Sequence, residues 1–344
     1  MAEESTVDSK DCEKPTVESV LPTKDPNPTI KKDLSTLDVF SLTKVRGRPA
    51  KTSLSFDAIV ISGGGIKCIG ILGALHCFVT NGLLDMKTVT SYSGASAGSM
   101  IIFMLSIGYS PLELFIALYQ SKLLEKLHAS LNLMGPMHGF GLYKFGIIQA
   151  EMESMCINKT GILMNLGEVK KVYGKDLSIV TFNNTTKEPE IFSPKTQPSM
   201  PCITAIRCSA NIPFVFDRFK YQGSWYLDGG LAQNFPIKEV DDGCNRVLGI
   251  VCDAGSPSGN DDNVSDTIGI INYAFNLISI PINTTTKKNI REASSNCTIV
   301  TIGGPNRKPF DFSLTQQGLI DLFSLGYACA EKHAWDTGLL VPII

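Results

Sequence analysis

An excess of either charge is nearly absent from this chain: 31 basic residues face 33 acidic ones, a net of −2 at pH 7. No basic field remains to neutralise phosphates, which argues against nucleic acid as a partner. Long apolar runs are missing as well. The longest weakly polar stretch, Thr267 to Ile282, is interrupted by Asn272, Asn276 and Pro281, whereas a membrane span needs about 20 apolar residues. The first residues, MAEESTVDSK, carry neither a basic start nor an apolar core, so no secretory signal is read and a cytoplasmic chain, at most peripheral at membranes, is expected. Ten cysteines are present, but they are scattered singly, without a CxxC pair and without pairing to the four histidines. That scatter suits reduced, buried thiols rather than bridges or zinc. No acidic cluster has calcium-loop spacing, so neither metal nor cofactor is expected. Repeats of 20 to 50 residues are absent, which excludes a solenoid.

Apolar residues make up 43% of the 344 positions and charged ones 19%, enough for a large core. Residues 1–52 differ from the rest. Pro15, Pro22, Pro26, Pro28 and Pro49 stand there among nine acidic and nine basic residues, so this segment is read as a disordered polar tail. A single docking turn around Asp33 to Phe40 is the alternative. Residues 53–344 are expected to form one domain.

From Phe56 onward the pattern alternates strand, turn and helix. Phe56 to Ile61 reads as a strand, Ile69 to Asn81 as a helix, Thr88 to Tyr92 as a strand and Ala97 to Ile107 as a helix. One helix is expected from Pro111 to about Leu127, a loop from Leu131 to Phe145, and a helix from Gly146 to Asn158. Further strands are expected at Leu177–Phe182, Val215–Leu227, Arg246–Cys252 and Cys297–Ile302. Helices are expected at Met200–Ala210, Asp266–Ser279 and Leu314–Trp335. Such alternation predicts an α/β fold with a mainly parallel central sheet and helices on both faces.

Three glycine-marked turns carry the chemistry. Gly94-Ala95-Ser96-Ala97-Gly98 is a G-x-S-x-G between a strand and a helix, the setting in which a serine hydroxyl is pushed outward on a sharp turn. A small-residue packing turn is the plain alternative. Ser62-Gly63-Gly64-Gly65-Ile66-Lys67 also follows a strand, and its bare amides can converge on an anion. Cys68 stands where a dinucleotide fingerprint needs its third glycine, and no Walker pattern is present. An oxyanion site or a tight βα turn remains. Asp228-Gly229-Gly230, after Trp225-Tyr226-Leu227, holds a carboxylate at a strand end; an Asx-type turn would use the same residues.

Together these segments resemble the patatin-like phospholipase family: the glycine run its oxyanion motif with the following basic residue Lys67, the Ser96 segment its nucleophile elbow, and Asp228-Gly229-Gly230 its D-G-[AG] motif. Ala205 to Pro213 is similar to a family segment rich in small residues, and Gly141-Leu142-Tyr143 is a weaker match. The similarity covers about residues 56–237. The resemblance implies a three-layer α/β/α fold and a Ser–Asp dyad acting on fatty-acyl esters of phospholipids or acylglycerols at a membrane or lipid-droplet surface. It makes Ser96 the nucleophile and Asp228 its base, with Gly63, Gly64, Gly65 and Ala97 around the oxyanion and Lys67, Gly94, Gly98, Gly229 and Gly230 in support. Cys68 departs from the family, which often has glycine there. An acyltransferase using the same site and a non-catalytic lipid-binding module remain alternatives, the second favoured by Cys68. Only His333 follows Asp228 among the histidines, so a Ser…Asp…His triad would have to use it. Lys67 either draws an anionic head group or merely solvates a helix start. Met134 to Phe145 is either a lid or interfacial patch, or a loop closing the core.

Overall fold

The computed structural model describes residues 47–50, 55–138, 141–253, 267–303 and 310–343. The expected tail up to residue 46 and the Asp33–Phe40 turn lie outside the described residues. Arg48–Pro49, inside the segment read as tail, pairs antiparallel with Leu340–Val341.

Eight further strands form one sheet: β1 (Ala58–Ile61), β2 (Ser91–Ala95), β3 (Asp176–Asn183), β4 (Glu188–Phe192), β5 (Phe219–Tyr221), β6 (Ser224–Leu227), β7 (Val247–Cys252) and β8 (Cys297–Ile302). Their order is β5-β6-β3-β2-β1-β7-β8, with β4 also paired to β3. The β3-β2-β1-β7-β8 part is parallel throughout. β1 and β7 are buried at every position, which requires cover on both faces and explains their unbroken apolar runs.

The helices are α1 (Cys68–Thr80), α2 (Ala97–Ser106), α3 (Pro111–Ser121), α4 (Leu123–Ala129), α5 (Gly146–Thr160), α6 (Leu166–Tyr173), α7 (Cys202–Ser209), α8 (Gly230–Gln233), α9 (Thr267–Glu292) and α10 (Gln316–Asp336). Several boundaries differ from the sequence reading. The single helix expected over 111–127 is two, because Lys122 takes a left-handed conformation (φ 52°) between them. The expected strand over 215–227 is the β5–β6 hairpin, turned at Gln222 and Gly223, both with positive φ. β4 and α6 were not foreseen; α6 starts on a capping box in which Asn165 and Glu168 bond each other's backbone amides.

The largest departure is α9, expected to stop at Ser279 before a proline. It runs on through Pro281 to Glu292. Proline removes only the bond to the Leu277 carbonyl, on an exposed stretch where water can serve it. Beyond the proline, Thr286 and Asn289 are buried, Asn289 Nδ2 donates to the Phe235 carbonyl (3.0 Å), and Ile290 packs on the core cluster of Val60, Phe235 and Val251. Tertiary anchoring therefore outweighs the local break.

α1, which leads out of the glycine turn, crosses α10 at backbone contact. A Cβ on Gly73 would sit 1.9 Å from the Phe323 carbonyl oxygen, and one on Gly326 1.8 Å from that of Gly70. Only hydrogen at these positions permits the crossing. Gly326→Ala is therefore expected to destabilise the fold by about 1–3 kcal/mol or more, read as a lower urea midpoint; an unchanged midpoint would contradict so close a crossing.

Candidate active site

The parallel strand β2 climbs along β3 as far as Val180, while the antiparallel strand β6 descends along it from Asn183 to Phe182. Their C-terminal ends, Ala95 and Leu227, thus run toward each other. The next residue on each is Ser96 and Asp228. A wholly parallel sheet would deliver both groups to one rim; here opposed strands meet over the middle of β3.

Ser96 is the turn between β2 and α2, with φ 53° and ψ −131°. That is a strained conformation for a residue with a Cβ, of the kind held in place by its surroundings at functional sites. The flanking glycines have separate reasons. A Cβ on Gly98 would lie 2.5 Å from the Ile61 carbonyl oxygen, and one on Gly94 would press on Gly98 itself. The elbow passes too close to the end of β1 for any other residue.

A clamp that the sequence reading did not assign holds both chain ends. The Ser96 amide donates to Ser209 Oγ (2.9 Å), whose hydroxyl donates to the Val180 carbonyl (2.6 Å). The Ser209 and Asn211 carbonyls accept from the amides of Gly229 (2.8 Å) and Asp228 (3.0 Å). Asn211 also donates to the Tyr226 carbonyl and accepts from Arg207 Nη1, both at 2.6 Å. Buried Arg207 donates to the Asp217 carbonyl (2.6 Å) and stacks on Phe145. Small and polar residues at 209–211 are the trace of this clamp in the sequence.

Asp228 serves both readings of its motif. Oδ1 accepts from the Gly230 amide (2.8 Å), an Asx-type turn. Oδ2 is buried and makes no hydrogen bond of ordinary geometry among the described residues. Burial pushes the carboxyl up to about 7, against the pull of the Ser96 hydroxyl and the Gly230 amide as donors. The Ser96 contact is therefore felt but loose. Catalytic hydrogen bonds often tighten only in the transition-state complex.

In the glycine turn, the Gly63 amide is occupied by the Asn234 carbonyl (3.0 Å). This corrects the expectation that it faces an oxyanion. Its bond ties the turn to the segment after Gly230. Among the described residues, the amides of Gly64, Gly65 and Ala97 make no turn or loop backbone bond like that of Gly63, and Gly65 has φ 57°, which favours glycine. Cys68 does not fill the turn. It is buried, its thiol reaches the Ser62 carbonyl (3.6 Å), and it abuts Cys252. Lys67 is half-buried; burial lowers its pKa, and Nζ reaches the Asp253 carbonyl at 3.5 Å.

Ser96 opens into a cavity of about 150 Å³, with Gly65, Cys68 and Ala97 at the same wall. The rest of the lining is apolar, including Leu72, Met100, Leu124, Ile148, Ile212 and Phe312. Met100 and Ile101 of α2 are walls of this cavity. From the expected loop, Leu142 and Tyr143 are buried, and Leu133 and Met134 are exposed; Gly139 and Phe140 lie outside the described residues. His333 faces Asp336, and burial lowers its pKa. No histidine lines the cavity among the described residues. No cluster there could hold a metal ion, and no single helix is long and apolar enough to cross a membrane, again among the described residues. All nine described cysteines are free.

The family profile described as "Patatin-like phospholipase" matches residues 59–241, which include all three motifs. A protein of Invertebrate iridescent virus 6 named "Probable lipid hydrolase 463L" is 34% identical over 202 residues, covering 56% of this chain and 66% of the viral protein. The chain thus spans just under two thirds of that relative. An uncharacterised protein of Acanthamoeba polyphaga mimivirus is 29% identical over 252 residues, covering 72% of this chain and 82% of its own. Among solved structures, VipD from Legionella pneumophila aligns over 85% of this chain and 71% of its own, with TM-score 0.47 and 18% identity.

The raised Asp228 pKa has a consequence for stability. The folded state holds the proton to about pH 7, the unfolded chain only to about pH 4. Stability from this group is complete below the lower value and is lost as pH rises through the upper one. Asp228→Asn is therefore expected to be more stable than the parent at pH 8, by up to about 4 kcal/mol, with the gain vanishing toward pH 4. Urea unfolding at the two pH values measures it; a loss of stability at pH 8 would contradict burial of the charge.

Proposed function

The chain belongs to the patatin-like phospholipase family, and from that membership we propose that it is a lipid acyl hydrolase working through a Ser96–Asp228 dyad. The observation that carries this reading is the bare, buried Oδ2 of Asp228, on a carboxyl raised to about 7, beside a serine at the mouth of an apolar cavity. An ordinary carboxylate is too weak a base for a serine hydroxyl; desolvation narrows the gap.

In the proposed reaction the acyl chain lies in the cavity and Ser96 Oγ attacks the ester carbonyl. Its proton passes to Asp228 Oδ2. The amides of Gly64, Gly65 and Ala97 receive the oxyanion; one such donor is typically worth about 2.7–4 kcal/mol. Collapse expels the alcohol, which takes the proton from Asp228, and leaves an acyl group on Ser96. Water then attacks with Asp228 as base again, releasing the fatty acid and restoring the serine. Ser209 holds the Ser96 amide and thereby fixes the direction of attack.

Ser96→Ala is expected to abolish both hydrolysis of a short-chain nitrophenyl ester and labelling by a fluorophosphonate probe. Asp228→Asn should lower kcat/KM by on the order of 10²–10⁴-fold while remaining folded. Because the carboxylate is the active form, kcat/KM should rise with pH through a limb near 7. Full activity in either variant, or a limb near 4, would overturn the dyad.

A further inference from the structure

Beyond the catalytic site, α9 presents an apolar stripe to solvent. Ile270, Tyr273, Leu277 and Ile280 are 57, 55, 51 and 57% exposed. Their spacing of three, four and three residues puts them on one helical face, over about 15 Å of axis. Large side chains so open, and so regularly spaced, mark a contact surface rather than scattered surface apolarity. The opposite face of the same helix accounts for its fixed position: Thr286 and Asn289 are buried, and Asn289 is bonded to the Phe235 carbonyl.

Two observations say what covers the stripe. From Thr267 to Thr286 the helix has no charged residue at all, and then Lys287, Lys288 and Arg291 follow, with the closing Glu292 paired to Lys288 (3.8 Å) and Lys238 (2.6 Å). An uncharged apolar face ending in cations is what a helix lying at an anionic lipid surface requires: side chains for the acyl boundary, ammonium and guanidinium groups for the phosphates. A partner protein that merely covered an apolar face would need no such division. The second observation is nearness to the cavity, which the inward face of α9, opposite the stripe, borders. Phe275, on α9, packs against Phe310 with ring centroids 4.5 Å apart, and Phe310 lines the cavity into which Ser96 opens. A second exposed aromatic, Phe214 (φ 65°), stands between cavity-lining Ile212 and Phe216.

We infer that the N-terminal half of α9 is a docking face for a lipid bilayer surface, which sets the mouth of the apolar cavity against the layer that holds its substrate. The inference rests on the reading of that cavity as an acyl site, and it adds the partner and the element that binds it.

The test uses the full chain and flotation with phosphatidylcholine vesicles containing a minority of phosphatidylserine. Ile270→Asp/Leu277→Asp, on the exposed stripe, should lower the vesicle-bound fraction at least about tenfold. Tyr273→Ser/Ile280→Ser, a milder pair, should lower it in the same direction. Hydrolysis of a monomeric short-chain ester should be unchanged in both, while hydrolysis of vesicle lipid falls with binding. Vesicle binding equal to that of the parent in both variants, or a parent that does not float with vesicles, would overturn the proposal. So would sedimentation showing a parent dimer that the variants split with vesicle binding intact, since the stripe would then cover a second copy. If no chain hydrolyses either substrate, the dyad falls while flotation still decides the docking face.

Discussion

One carboxylate oxygen, buried without a partner, is the constraint on which the rest of the site depends. Oδ2 of Asp228 is kept from water and, apart from the loose approach of the Ser96 hydroxyl, from donors among the described residues, and a group in that condition destabilises the fold that holds it. The protein offsets this nearby. Neighbouring groups at the two chain ends are bonded: the Ser96 amide to Ser209, the Asp228 amide to Asn211, Oδ1 to Gly230, and the Gly229 amide to Ser209. Thr181 Oγ1 reaches the Leu227 and Cys208 carbonyls at 3.1 and 3.0 Å.

Topology makes this economical. Opposed strands bring Ser96 and Asp228 together across 131 intervening positions by pairing with neighbouring stretches of one strand, β3. The same clamp, Ser209 to Asn211, then touches both. The glycine turn joins through a different link, the Gly63 amide on the Asn234 carbonyl. The two links are separate, so a change at Ser209 disturbs the elbow and the acid without first moving the turn.

Much of this was legible in the sequence where local geometry demands one residue type. Gly98 is readable because nothing larger fits against the end of β1, Gly94 because a Cβ there would press on Gly98, and Gly65 because of its positive φ. The β1 and β7 segments are readable from their apolar runs, whereas β2, Ser91–Ala95, begins three residues past the start of the expected Thr88–Tyr92 strand. What escaped was set by distant partners. Pro281 reads as a stop, but Asn289 and Ile290 hold the helix beyond it. Gly63 reads like its two neighbours, yet its amide is taken by a residue far along the chain. Ser209 and Asn211 have no spacing that reveals a clamp. Cys68 reads as a departure from the family motif, and only the fold shows its thiol reaching the Ser62 carbonyl and Cys252.

The most direct measurement is an NMR titration of the Asp228 carboxyl, by selective ¹³C labelling, in the parent and in Ser96→Ala. A midpoint near 7 in the parent, moving higher once the serine hydroxyl no longer donates, is the predicted result. A midpoint near the ordinary value of about 4, unmoved by the substitution, would show a solvated carboxylate that neither feels Ser96 nor has the basicity to activate it.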